Sequence, residues 1–183
     1  MLKIRIEALA ATDPTCAQLS AMLAEAVAEG GSLSFMHPLA LGAARAFWAA
    51  SLAAAARGER IVLGAWIGDE LAGTVSVLLA CPPNQPHRAE IAKLMTRVSQ
   101  RGRGIAAALM RAAEAQAVVH GKTLLVLDTA SDGGAAGLYQ RLGYTLAGEI
   151  PGYALKPHGG LSGTLMYWKC IGGPVTPQSN AGS

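Results

Sequence analysis

The chain is poor in the residues that build metal sites and disulfide frameworks. Its 183 residues include three cysteines, Cys16, Cys81 and Cys170, widely spaced and odd in number. No Cys-x-x-Cys pair exists, so neither a zinc site nor a disulfide scaffold is indicated. Reduced thiols in a cytoplasm are the expectation. The four histidines, His37, His87, His120 and His158, share no common spacing, and no metal is expected. Charge is scarce: 15% of residues carry it, and the net is +3. That balance is too mild to argue for a nucleic-acid partner. Long hydrophobic runs are missing as well. The apolar stretch 46–56 is bounded by Arg45 and Arg57, well short of the roughly 20 residues a membrane span needs. No membrane partner is expected. Residues 1–7 alternate charged and apolar side chains and hold no apolar signal core. No repeat and no linker divides the chain.

What is present is a hydrophobic fraction of 51%, enough to bury a core. One domain over 1–171 is expected, with a Gly-, Pro- and Ser-rich tail over 172–183. Residues 3–7 read as a strand. Asp13-Pro14 predicts a helix start with Asp13 as its cap, and the helix runs to about 29, before Gly30-Gly31. A loop over 32–38 carries Phe35 and Met36, and an alanine-rich helix follows over 39–57. Segments 60–67 and 70–79 form a hairpin, 81–87 a proline loop, and 88–98 a strand. Then come a turn over 99–103, a helix over 104–120, a strand over 124–128 and a short helix over 135–142. A strand over 144–150, a loop over 151–163 and a strand over 164–169 complete the order. A meander followed by alternation predicts an α/β (α+β) fold, with a mixed central β-sheet flanked by helices.

The most informative segment is Arg101-Gly102-Arg103-Gly104-Ile105-Ala106. A strand that feeds a helix through a Gly-rich turn presents free amides to an anion, and the helix dipole adds positive potential. Arg88, Lys93, Arg97, Arg101, Arg103 and Arg111 surround it against one acid, Glu90. The absence of a Gly-Lys-Ser/Thr ending excludes a P-loop. A dinucleotide turn stays open on these residues, because Gly102-x-Gly104-x-x-Ala107 fits the relaxed fingerprint and Asp128 lies where a ribose acid would. So does a plain glycine turn.

Two further patterns bear on the choice. Arg101-x-x-Gly104-x-Ala106 on a strand–turn–helix resembles the coenzyme A signature of the GNAT superfamily of acetyltransferases. Ala135, Leu138-Tyr139 and Gly143-Tyr144 match the superfamily's second signature at the expected separation. A dinucleotide enzyme has no reason for the second. The resemblance implies the GNAT acyl-CoA N-acyltransferase fold, splayed between its fourth and fifth strands, with acetyl-CoA as co-substrate in the cleft and a small-molecule amine as acceptor. Further segments look like a toxin-resistance branch of the superfamily whose acceptor is tabtoxinine-β-lactam. These are Gly30–Ser32 with Phe35-Met36, Arg88–Glu90, Lys93–Met95, Leu127–Thr129, Gly148-Glu149 with Pro151–Tyr153, and Tyr167 with Lys169. A homodimer is compatible with this reading. The rival functions are an NAD(P)-binding oxidoreductase and a non-catalytic acyl-CoA sensor.

Acetyl transfer to an amine needs a base for the ammonium proton, a donor for the developing oxyanion and an acid for the departing thiolate. Glu90 sits between apolar Ala89 and Ile91, and Asp128 ends an apolar strand. On the residues alone each is either a structural carboxylate or a base. The resemblance implies that the two form the base system. Tyr139 is the candidate acid, since a phenol stays protonated at neutral pH. Met95 and Thr96 are expected to pair with the pantetheine arm as an added strand would, with the oxyanion donor a backbone amide near Met95. Arg101, Gly102, Arg103, Gly104, Ile105 and Ala106 are expected to hold the pyrophosphate. Asp132 stands where the superfamily often has an Asn that touches the pantetheine. Thr96 and Val98 replace its usual Val and Pro. Phe35, Met36 and Tyr153 are the candidate acceptor pocket.

Overall fold

Apolar side chains recur on one stripe of each long helix and on both faces of the central strands, and this arrangement fixes the layers. The structure, a computed structural model, describes residues 3–172. Apart from Gly172, the tail expected over 172–183 lies outside the described residues. In chain order the elements are β1 (Arg5–Ala8), α1 (Asp13–Ala28), α2 (Leu41–Ala56), β2 (Arg60–Ile67), β3 (Glu70–Leu78), β4 (Arg88–Thr96), α3 (Ile105–Val119), β5 (Leu124–Ala130), α4 (Ala136–Arg141), β6 (Thr145–Leu155) and β7 (Leu161–Cys170). The strands form one sheet in the order β1-β2-β3-β4-β5-β7-β6. Every pairing is antiparallel except β4 with β5. The mixed sheet flanked by helices is the expected fold. No helix among the described residues is long and apolar enough to cross a membrane.

Helices pack on both faces of this sheet. In α1, Leu19, Met22, Leu23, Ala26 and Val27 are buried at the i, i+3, i+4, i+7, i+8 spacing of an apolar stripe. They pack with Ala44, Trp48 and Leu52 of α2 and with Val62, Leu71 and Met95 of the sheet. The opposite face carries Ile61, Leu63, Val75, Val77, Ile91 and Leu125 against Ile105, Leu109, Met110 and Ala113 of α3. Tyr139, Tyr144 and Tyr167 belong to this second core.

Several local expectations change. Thr12, not Asp13, caps α1: its Oγ1 accepts the Thr15 amide at 3.3 Å. Thr12 is extended (φ −111°, ψ 154°), as a cap must be, whereas Asp13 is already helical and pairs instead with Arg45. The loop expected over 151–163 is largely strand. β6 runs through Pro151 and Gly152 to Leu155, and β7 begins at Leu161. Pro151 is tolerated because β6 is an edge strand and its register slips between Ile150 and Ala154, so the missing amide breaks no ladder. Tyr153 therefore stands on a strand and is exposed.

β4 ends at Thr96, two residues short of the expected boundary, and Val98–Gln100 forms a single 3₁₀ turn. Glu25 of α1 explains the stop. One carboxylate oxygen accepts Arg97 Nη1 and the other the Val98 amide, both at 2.9 Å. Desolvation pushes this carboxyl up, but the bonds from Arg97 and the Val98 amide and the charges of Arg97 and Arg101 outweigh it and hold it below its ordinary range. A charge-assisted pair of this kind contributes about 1.5–3 kcal/mol. Because the folded-state value lies below the unfolded one, that contribution is complete above the unfolded carboxyl pKa and disappears as pH falls through the folded value. Urea unfolding of Glu25→Gln against the parent should show the largest stability gap near neutral pH. The gap should shrink once pH drops below about 4.

Candidate active site

β4 and β5 run parallel and pair at Arg88–Leu124, Ala89–Leu125 and Glu90–Val126, and pairing ends there. β4 continues to Thr96, held on its other edge by β3 through Thr74–Met95 and Gly73–Thr96. β5 continues to Ala130, held by β7. The two strands thus part towards their carboxyl ends and leave the backbone of Met95 and Thr96 without a strand neighbour on the β5 side. Ligands of open α/β sheets bind at such carboxyl-end crevices.

The glycine turn lies at the same end. Gly102 and Gly104 have φ of +73° and +80°, the left-handed region that disfavours a Cβ. A Cβ built on either would meet only open space, so backbone conformation rather than crowding calls for glycine here. Gly104 is the N-cap of α3 and no side chain caps this helix. The Ala108 amide pairs back to the Gly104 carbonyl, so the amides of Ile105 and Ala106 face outward at the positive end of the helix dipole. Arg101 and Arg103 are exposed beside them, the latter hydrogen-bonded to Gln100 Oε1.

Glu90 and Asp128 stand across the parting. Asp128 lies two residues beyond Val126, the partner of Glu90, so both carboxylates project to the face that α1 and α2 cover. Glu90 is half-exposed, with Arg88 Nη1 3.7 Å away. Asp128 does not end its strand as expected: β5 runs on to Ala130. Its carboxylate is exposed and accepts Thr164 Oγ1 at 3.0 Å.

Tyr139 comes from the other side. It is 6% exposed, with its ring 5.7 Å from Tyr167 and 6.0 Å from Tyr144. Burial, then the negative charge of Asp128, then Tyr167 push its phenol up to about 12. Asp128 therefore acts on groups from both faces, since its charge also reaches Lys93.

Lys93 is the residue that sequence reasoning missed. It sits in a β-bulge of β4, where the register against β3 shifts, with φ of +52°. Its Nζ donates to Ser34 Oγ at 3.0 Å and lies 6.0 Å from the Phe35 ring and 5.8 Å from the Phe47 ring. Burial pushes its ammonium down, while the charges of Asp128 and Glu90 partly oppose this. The sequence marked Lys93 only as one of the cations near the glycine turn and as part of the Lys93–Met95 segment, with nothing to show its meeting with Ser34 and the two phenylalanines.

The remaining candidates divide. Phe35 packs edge-on against Phe47 at 5.2 Å and joins the group around Lys93. Met36 is exposed on the same loop, which the His37 amide fastens to the Pro157 carbonyl of the β6–β7 turn at 2.9 Å. Asp132 is engaged by that turn and by the start of β7. It accepts Ser162 Oγ at 2.8 Å and Lys156 Nζ at 3.0 Å, and these two partners, in that order, hold its carboxyl below its ordinary range.

Comparison with known proteins places this geometry in context. A model described as the acetyltransferase (GNAT) family matches residues 32–144. Among solved structures, yncA from Salmonella typhimurium with its cofactor acetyl-CoA is similar at 17% identity and a TM-score of 0.76, over 96% of this chain and 98% of that one. Ribosomal-protein-alanine N-acetyltransferase from Brucella melitensis gives 21% identity and 0.75, over 93% and 100%. Aminoglycoside 6′-N-acetyltransferase complexed with coenzyme A gives 18% and 0.71, over 93% and 99%. The glycine turn can be tested apart from any ligand. Gly104→Ala should destabilise by about 1–2 kcal/mol because alanine resists left-handed backbone. Gly42→Ala, at an uncrowded position in α2, should stabilise by up to about 1 kcal/mol. Chemical unfolding of both variants checks the contrast.

Proposed function

The chain belongs to the GNAT family of acetyltransferases and is an N-acetyltransferase, and from that premise we propose that it transfers acetyl from acetyl-CoA directly to the amine of a small, amino-acid-like molecule. The observation that carries the proposal is the meeting at one strand parting of an uncapped helix start, an open β4 edge and two carboxylates on one face. Bound acetyl-CoA supplies an activated acetyl thioester. The turn residues fit its pyrophosphate: Gly102 and Gly104 leave open space where a Cβ would stand, Ile105 and Ala106 offer amides, and Arg101 and Arg103 offer counter-charge. Met95 and Thr96 would hold the pantetheine arm through their free edge. Asp132 is proposed as a further contact, through a carboxylate already engaged by Ser162 and Lys156.

Glu90 and Asp128 are proposed as the base system. They would take the ammonium proton, on the face that also carries the Phe35–Met36 loop, with Tyr153 proposed as a further pocket residue. A backbone amide near Met95 is the proposed donor to the developing oxyanion. Tyr139 would be the acid. With its phenol raised to about 12, it keeps its Oη proton throughout the range in which a thiol of pKa near 8.5 leaves as thiolate. A dinucleotide enzyme is not favoured, since its turn belongs to an open parallel sheet and among the described strands only β4–β5 is parallel. Three free thiols support a cytoplasmic setting. A homodimer remains compatible with this reading, and an acceptor of the tabtoxinine-β-lactam type is its narrowest form.

A screen of small amines with free thiol release as readout tests the proposal. Acetyl-CoA should raise the melting temperature and NADH should not. Asp128→Asn and Tyr139→Phe should each lower kcat on the best amine by about 100-fold or more. Tyr139→Phe should leave the acidic limb of the pH profile in place. Rates unchanged in Glu90→Gln and Asp128→Asn would remove the two-carboxylate base.

A further inference from the structure

Two non-glycine residues in the described chain have left-handed backbone, Ser34 with φ of +68° and Lys93 with φ of +52°. They come from segments far apart in sequence, and their side chains meet in the 3.0 Å bond from Lys93 Nζ to Ser34 Oγ. A non-glycine residue in this region costs about 1–2 kcal/mol. Two such costs joined by one hydrogen bond hold a cation at a fixed point. The bond to Ser34 uses one of the three ammonium protons. No carboxylate of the described residues comes within salt-bridge distance of Nζ. Phe35 and Phe47 stand by the ammonium at cation–π distance. The charges of Glu90 and Asp128 reach it, as does that of Arg60. Lys93 thus occupies the face of the two carboxylates, with donors to spare.

We propose that Lys93 binds a carboxylate carried by the acceptor, so that the acceptor is an α-amino acid or an amine with a carboxylate at similar distance. This rests on the acetyl-transfer reading above and sharpens it. The chemistry is complementary. The acceptor's ammonium faces Glu90 and Asp128, and its carboxylate faces Lys93 and the field of Arg60. A zwitterion is thereby oriented along the parting with its nitrogen at the base. Phe35 and Phe47 give one side of the ammonium an apolar wall at cation–π distance. A diamine or an uncharged amine would leave Lys93 without an anion, which works against neutral and cationic acceptors.

The test pairs L-amino acids with their carboxamides as acceptors in the thiol-release assay. The kcat/KM ratio of acid to amide is measured in the parent, in Lys93→Met and in Lys93→Arg. Comparing ratios between variants cancels the different basicities of the two amines. The ratio should fall about tenfold or more in Lys93→Met, the loss expected for one charge-assisted contact, and recover at least partly in Lys93→Arg. Ser34→Ala, which cuts the tie but keeps the cation, should retain most of the parent ratio. If Lys93→Met lowers acid and amide alike, the residue only supports the loop and the proposal is wrong. Binding is read separately by calorimetry with N-acetyl-L-amino acids and their amides. If no amine releases thiol but the acids still bind in a Lys93-dependent way, the anchor stands and the transfer reading falls. If thiol is released but the acid-to-amide ratio is the same in the parent, Lys93→Met and Lys93→Arg, the transfer reading stands and the anchor falls.

Discussion

β4 and β5 share hydrogen bonds over three residue pairs and then separate. Sheet cohesion opposes this, because each parted residue forgoes ladder bonds whose absence must be made good elsewhere. Separation persists because each strand is fixed from its other side, β4 by β3 and β5 by β7. Helix α3 fills one face behind them, and α1 grips the end of β4 through Glu25, Arg97 and the Val98 amide. The crevice between them is thus a consequence of how both neighbours are anchored. The free β4 edge, the glycine turn that starts α3 and the carboxylates of Glu90 and Asp128 lie along it.

Charge and burial then divide the crevice into two sides. The α3–α4 side is apolar and holds Tyr139 among other tyrosines, which keeps its phenol protonated. The α1–α2 side is polar at its rim and holds Glu90, Asp128 and Lys93. Asp128 links them, since its charge acts on both Tyr139 and Lys93. Three loops shape the rim. The His37–Pro157 bond fastens the 32–38 loop to the β6–β7 turn, and Asp132 fastens that turn to the segment after β5.

Much of this was legible in the sequence, for identifiable reasons. Gly102 and Gly104 were readable because left-handed backbone selects glycine, so conformation leaves a mark in the residue type. The mixed sheet followed from the order of periodic segments. Lys93 and Ser34 were not readable as a pair, because each takes the same backbone region without being glycine, and only tertiary packing brings them together. The extension of β6 was hidden by Pro151 and Gly152, which usually signal a loop but are admitted at a bulge on an edge strand. Thr12 was overlooked as the α1 cap because Asp13 beside Pro14 satisfied the same pattern one residue later. The partners of Asp132 lie 24 and 30 residues away, beyond any local signal.

The central claim is that one parted strand pair and one uncapped helix start together hold coenzyme A. The most direct measurement is a backbone amide NMR titration of the 18.7 kDa chain with coenzyme A. The account predicts that the amides of Gly102 to Ala107 and those of Met95 and Thr96 shift together and saturate at one concentration, with NADH leaving both sets in place. Shifts confined to other surfaces, or equal shifts with NADH, would contradict it.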